Sequence, residues 1–494
     1  MSTGADILPL VTEPSLDAAE IVDRSRLTSN YWVYISVLAT IAIFDYFDFY
    51  VIGFLGSAIA RQDHLRYWQL SSILIAAGAG AIVGALFWGN EGDQRGRKPT
   101  LVLGTLICGL SSACFLFVPA RAWPILVALR FAIGFGLSGG STAAMTLTVE
   151  FTPVRLRSVL SGLPVIGATA GTLLASTTVA GLITRLGWQG VAALGVLPAL
   201  LGLVALLVIP ESPLWLARVG RFESARATIA RMQGIQKESV PNIRAPSPGN
   251  GRVNFTAVFH QPKKAILTAS LWGGILSADY GVYLLGPTLV ALSTGARAAA
   301  VAHIFMLVSA VGILGKISFS ILPRLIKRRR LNEIGAIGAA VSLFGAALLY
   351  RATFGGFSVF VELLIIGAFF FDGIVANLAP YTVEIYPTEL AARGYGLGQA
   401  ANGVGKIAGP VAMAVIAGAA YVTPRASIAS LTPTFLFLAA CALSAAGMSI
   451  LIPCDPIATH TRSAVNGSRD TKATPSNSIG GKRRSRQAWR RQKQ

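Results

Sequence analysis

About twelve stretches of this chain are apolar for long enough to cross a lipid bilayer, and that leaves few folds open. A spanning helix needs roughly 20 mostly apolar residues. Runs such as Ile73–Trp88, Leu101–Pro119 and Pro198–Pro210 carry no charged side chain. Charged residues make up only 13% of the 494 positions, about half the usual share in soluble chains. Inside lipid every backbone polar group must be satisfied within its own element, so a chain with this pattern folds as an all-α membrane protein. The expected spans are 31–60, 69–89, 99–119, 123–150, 157–184, 188–209, 263–290, 298–322, 333–350, 355–384, 392–420 and 430–453. They form two six-helix halves, 31–209 and 263–453. The rest divides into an N-terminal segment 1–30, a polar, Pro-containing linker 210–262 and a basic tail 454–494 whose composition predicts disorder.

The formal net charge is +20, and its distribution argues against nucleic acid. Basic residues cluster in alternate links: Arg95, Arg97 and Lys98, then Arg155 and Arg157, the linker, Arg324 to Arg330, and the tail. That is the positive-inside pattern of a multi-pass inner (plasma) membrane protein with both termini cytoplasmic. The tail cluster Lys482, Arg483, Arg484, Arg486, Arg490 and Arg491 can meet anionic lipid headgroups, although solvated topogenic charge is the simpler reading. Cys108, Cys114, Cys441 and Cys454 lack ligand spacing, so neither disulfides nor a metal are implied. Residues 1–30 do not read as a cleavable signal, and the first apolar run is expected to serve as an uncleaved anchor. No nucleophile–base constellation or phosphate-binding loop is apparent, which speaks against an enzyme, a cofactor or ATP drive.

A weak internal repeat is visible. The fourth span ends in Glu150-Phe151-Thr152-Pro153 and the tenth in Glu384-Ile385-Tyr386-Pro387, followed by Arg157 and Arg393 respectively. Two similar halves suit rocking about a central site.

The link after the second span reads Gly89-Asn90-Glu91-Gly92-Asp93-Gln94-Arg95-Gly96-Arg97-Lys98. It resembles the loop motif of the major facilitator superfamily, Gly-x-x-x-Asp-(Arg/Lys)-x-Gly-Arg-(Arg/Lys), with Gln94 departing at one basic position. Gly89 and Gly96 are expected to allow a tight turn, Asp93 to face a basic partner or a helix N-terminus, and Arg97 to pair with an acid across the interface. Arg130-x-x-x-Gly134-x-Gly136, the Pro210-Glu211-Ser212-Pro213 segment and Glu384 to Thr388 with Arg393 are similar to further motifs of the sugar-porter-like branch. The resemblance implies a twelve-helix transporter acting as a monomer, with Gly89, Asp93, Arg95, Gly96, Arg97, Glu150, Arg157, Glu211, Glu384 and Arg393 in gating or structural roles.

The first span, Phe44-Asp45-Tyr46-Phe47-Asp48, resembles the Asp-Gly-x-Asp pattern of aromatic-acid and metabolite:proton symporters, with Tyr46 in place of Gly, and also the Asp-x-x-Asp of phosphate:proton symporters. Gly405-Lys406 aligns with a Gly-Arg or Gly-Lys segment of the same families. Gly139-Gly140-Ser141 lacks the Asp of the phosphate signature.

A charge at the centre of a spanning helix costs about 2.5–3.5 kcal/mol on insertion scales, so it needs a partner, water or a neutral form. Asp45 and Asp48 lie three apart on one face, a spacing suited to holding a proton. Arg130 is grouped with them by the resemblance, with an outer headgroup position as the alternative. Lys406 suits an anion; a structural pair with Asp372 or Asp279 competes with that reading. Asp279, Tyr283, Asp372, Asn377, Gln399 and Asn402 complete a polar set for substrate, and each could instead be an interhelical hydrogen bond. The expectation is proton-coupled symport of a small anion, with an organic or aromatic carboxylate favoured, around an aqueous chamber shared by Asp45, Asp48 and Lys406. A drug or metabolite exporter, a phosphate or sugar symporter, and a sensor that binds without transport are the competing classes.

Overall fold

The computed structural model describes residues 16–156, 163–244, 255–355, 357–418 and 420–454. Eleven segments among them are long and apolar enough to cross a membrane. One of these, Gly167–Val208, has 42 residues. A straight helix of that length would run to about 60 Å, twice the hydrocarbon thickness. It does not run straight. Gly187 adopts φ 68° and ψ 178°, a conformation that breaks the helix and suits glycine alone. The segment is therefore two crossings, and the total is the expected twelve.

We number the main helices in chain order: α1 Ser29–Asp63, α2 Tyr67–Arg95, α3 Arg97–Ala113, α4 Trp123–Phe151, α5 Leu163–Ala193, α6 Leu197–Val208, α7 Pro262–Thr294, α8 Ala298–Ile321, α9 Arg328–Leu348, α10 Val359–Ile385, α11 Thr388–Ala417 and α12 Pro424–Leu451; the end of α5 beyond the break at Gly187 belongs with α6 to the sixth crossing. A two-residue hairpin, Thr353–Phe354 against Phe357–Ser358, precedes α10, where the sequence predicts the start of a helix. Large apolar side chains such as Leu86, Leu110, Leu207, Val341, Val415 and Leu443 stand exposed around the bundle. In water such a surface would be a liability; a lipid bilayer covers it.

The two halves are built alike. In the first, α4 packs on α2 and α3; in the second, α10 packs on α8 and α9. The halves meet through α1 on α7 and through two related pairs, α2 on α11 and α5 on α8. At the end remote from residues 16 and 454, backbone bonds zip the halves together. Tyr67 N–H donates to Ala420 O at 3.0 Å, Trp68 N–H to Gly418 O at 3.1 Å and Val422 N–H to Leu65 O at 2.9 Å. Tyr67 and Ser427 share a hydroxyl bond, and Arg66 lies over the Tyr421 ring at 5.1 Å. Deeper, Thr288 Oγ1 donates to Gly53 O at 2.9 Å. This end of the bundle is shut.

At the other end the described part of the region 210–262 is not a plain linker but carries helices. Helices Pro213–Arg218 and Phe222–Gln233 form a small core with the short helix Ala18–Asp23, through Ile21, Val22, Trp215, Ala225 and Ile229. Leu16 pairs with the strand-like segment at Ile243. The tail 455–494 lies outside the described residues.

Candidate functional site

Charge gathers at three places along the seam. In the first half, Asp45 and Asp48 of α1 are fully buried. Asp48 Oδ2 accepts from Ser112 Oγ at 2.5 Å and from Cys108 Sγ at 3.2 Å, both on α3. Arg130, 1% exposed, donates to the backbone carbonyls of Asp48 and Phe49, each at 3.0 Å. It sits in the protein interior and not among headgroups. Neither carboxylate oxygen of Asp45 has a hydrogen-bond partner among the described residues.

In the second half, Asp372 of α10 is a hub. Lys316 Nζ of α8 pairs with its Oδ1 at 3.1 Å, Thr169 Oγ1 of α5 donates to the same oxygen at 2.8 Å, and Tyr283 of α7 donates to Oδ2 at 2.7 Å. Gly312 of α8 makes room: a Cβ there would collide with the carboxylate. The partner of Asp372 is thus Lys316, which the sequence reading passed over, and not Lys406. Asp279 of α7, 6% exposed, accepts one long bond from Tyr50 at 3.4 Å, and its Oδ1 has no partner among the described residues.

The third place is α11. Tyr395, Gln399, Asn402 and Lys406 recur at helical spacing, opposite the lipid-side Val404, Val411 and Val415. Gln399 is exposed, and Tyr395, Asn402 and Lys406 are half-buried. Gln399 donates to Tyr395 Oη at 2.7 Å and Asn402 donates to Gln399 at 3.0 Å. Lys406 Nζ stands over the Phe49 ring at 5.5 Å and the Tyr280 ring at 5.8 Å. Among the described residues no carboxylate lies within 4 Å of it. An aromatic cluster surrounds it: Tyr46 stacks on Tyr50, Tyr50 on Tyr280, and Phe49 meets Tyr280 edge-on. Phe49 also lies under Arg130 at 5.9 Å, so one ring separates the two cations.

This arrangement corrects the expected shared chamber. The polar face of α11 is accessible at the seam, whereas Asp45 and Asp48 turn into the first half. Asn377 does not join the set either. It bonds Arg328 Nη1 at 2.8 Å, Arg328 O at 3.0 Å and Asn332 at 2.7 Å, and so fastens α10 to α9.

The loop residues divide in the same way. Arg97 pairs with Asp93 at 2.8 Å and with Glu150 of α4 at 3.6 Å. Gly96 takes φ 108° and has no space for a Cβ, because Glu211 presses on it. Glu211 accepts from the N–H groups of Arg97 at 2.9 Å and Lys98 at 3.2 Å, answering the free amides at the start of α3. Burial raises the Glu211 carboxyl above the ordinary glutamate range, and the amides of Ser212, Lys98 and Arg97 oppose that shift. Glu211→Ala strands these donors and should destabilise the protein by about 1–3 kcal/mol, read as a lower thermal midpoint in detergent. Gly89 and Arg95 depart from expectation. Gly89 sits inside α2 with open space beside it, so Gly96 alone makes the turn. Arg95, with its side chain 71% exposed, pairs only with Glu91 in the residues described. In the second half Arg328 and Glu384 pair at 2.9 Å, the counterpart of Arg97 and Glu150. Arg393 lies half-buried in α11, and Arg157 falls outside the described residues.

Comparison with known proteins agrees with this architecture. The niacin transporter NiaP of Acinetobacter baylyi is 26% identical over 379 residues, covering 75% of this chain and 83% of that one. The 4-hydroxybenzoate transporter PcaK of Pseudomonas putida is 26% identical over 400 residues, covering 77% and 85%. The gallate transporter of the same species is 27% identical, covering 78% and 85%. Among solved structures, the xylose transporter XylE from E. coli in an inward-open conformation superimposes with a TM-score of 0.64 at 16% identity, over 87% of this chain and 97% of that one. The sequence profile of the Major Facilitator Superfamily matches residues 38–410. This chain belongs to that superfamily and is a multi-pass membrane transporter, not an enzyme.

Proposed function

We propose that this protein carries a small aromatic carboxylate together with protons by alternating access, in the inward direction across the inner (plasma) membrane, with both termini cytoplasmic. The observation that carries the reading is Lys406. A cation at the accessible seam, framed by Phe49 and Tyr280 and free of any carboxylate within 4 Å among the described residues, suits a ligand that is both aromatic and anionic. Niacin, 4-hydroxybenzoate and gallate, named for three relatives, each combine an aromatic ring with a carboxyl group. Gln399 and Asn402 add hydrogen-bonding groups on the same face of α11.

The proton belongs on Asp45 in this reading. An ionised carboxyl there would lack any donor among the described residues, whereas Asp48 has Ser112, Cys108 and the nearby Arg130. The shut end is then the outer one, and the anion site faces the cytoplasm. Proton binding to Asp45 removes a buried charge as the halves rock, which lowers the cost of the step.

The test is uptake into proteoliposomes, screened over benzoate-type, nicotinate-type and hydroxybenzoate-type acids beside phosphate and a sugar. Uptake should rise with acid outside and collapse with a protonophore. Asp45→Asn should cost about tenfold of the accumulation driven by each pH unit, while exchange of labelled for unlabelled anion continues. Protonophore-insensitive accumulation of the acids, or transport confined to phosphate or sugar, overturns the proposal.

A further inference from the structure

The two halves repeat more than their packing. Asp45-Tyr46 stands at about the same depth in α1, counted from Ser29, as Asp279-Tyr280 does in α7, counted from Pro262. α1 and α7 open their halves and pack on each other. Each of the two aspartates is buried, and each leaves carboxylate oxygen unpartnered among the described residues.

We infer that Asp279 is a second proton site, so that each anion travels with two protons. The inference rests on the anion symport proposed above. Four buried aspartates and three cations lie at the seam or just inside the two halves beside it. Asp48 is held by Ser112 and Cys108 beside Arg130, and Asp372 is paired with Lys316. Lys406 is neutralised by the incoming anion. Among the described residues none of Asp45, Asp48 and Asp279 has a cation within 4 Å, but Asp48 has two side-chain donors and Arg130 close by, whereas Asp45 has no donor and Asp279 a single long one; one proton on each of these two leaves the loaded site balanced.

The groups facing Asp279 bear this out. From α1 come Tyr46 and Tyr50, from α7 its neighbours Tyr280 and Tyr283, from α10 Asp372 and from α8 Lys316. On α11, Lys406 reaches the ring of Tyr280. Lys316 pairs with Asp372, and the one polar contact to Asp279 among the described residues is the 3.4 Å phenol of Tyr50. This phenol also bridges the halves, since Tyr50 is on α1 and Asp279 on α7. A proton on Asp279 and the fit between halves are therefore linked.

One monovalent anion moving with two protons carries net positive charge; with one proton it carries none. In proteoliposomes with a pH step of one unit and no membrane potential, wild type should accumulate the anion about 100-fold at equilibrium, because two protons contribute tenfold each. With no pH step, an interior-negative potential of ~60 mV should give about tenfold accumulation. Asp279→Asn should accumulate about tenfold on the pH step and ignore the potential. A wild type that gives only tenfold and ignores the potential overturns the inference, as does an Asp279→Asn protein that still gives 100-fold. Infrared spectra of purified protein at pH 7 read the same proton without transport: Asp279→Asn should remove part of the protonated-carboxyl band, and an unchanged band counts against the site. Failure of the symport reading looks different, because wild type would then show no accumulation of any aromatic acid.

Discussion

Lys406→Ala should lower kcat/KM for the transported acid by about 30-fold to several thousandfold. Truncating one partner of a desolvated charge pair costs about 2–5 kcal/mol, and each 1.4 kcal/mol is tenfold. The lysine has no carboxylate of the protein within 4 Å among the described residues, so its removal leaves no buried acid stranded. Stability should change little: two cation–π contacts at a half-buried site are worth about 0.5–1 kcal/mol each. Lys406→Arg keeps the charge on a wider, planar group and should recover part of the loss. The uncharged carboxamide of the same ring separates charge from stacking. It should be a poor substrate for wild type and suffer little further loss in the alanine variant. If the acid and its amide lose equally, Lys406 shapes the protein and the carboxylate is held elsewhere.

The parts of this structure that the sequence discloses are those written along a single segment. Apolar length marks the crossings, and the alternation of Arg and Lys marks their order. The loop motif points to Arg97 and its acidic partners because the helix that follows must have its first amides answered, and Glu211 answers them. The repeated Glu-x-x-Pro at 150 and 384 reappears as two matching ion pairs, Arg97 with Glu150 and Arg328 with Glu384.

What the sequence leaves hidden is pairing between segments. Lys316 was visible as a charge inside the eighth span, but its partner lies on α10, and helical periodicity does not specify which faces of different helices meet. The same holds for Asn377, which packs toward α9, and for Asp48, whose donors Ser112 and Cys108 come from α3. Spacing placed Asp45 and Asp48 on one side of α1. It could not show that this side is turned into the first half while Phe49 and Tyr50, one and two residues on, meet Lys406 and Asp279.

Lys316→Met and Asp372→Asn should each destabilise the protein by about 3–5 kcal/mol, the usual result of leaving half of a buried ion pair. The side chains are 4% and 1% exposed, so water compensates neither survivor. The double variant should lose much less than the two single losses added together, because the desolvation penalty of both ions disappears with their attraction. Thr169→Val tests a second spoke of the hub. It removes a hydrogen bond between the halves, and such bonds in membrane proteins average about 0.6 kcal/mol, so its effect on thermal unfolding in detergent should be small. Its effect on transport should be larger than its effect on stability, since a bond from α5 to α10 has to break whenever the halves rotate apart. Single variants that unfold like wild type would mean that Lys316 and Asp372 are exchanging with water or protons in the folded state, and would shift the pair from a structural clamp to a moving part of the cycle.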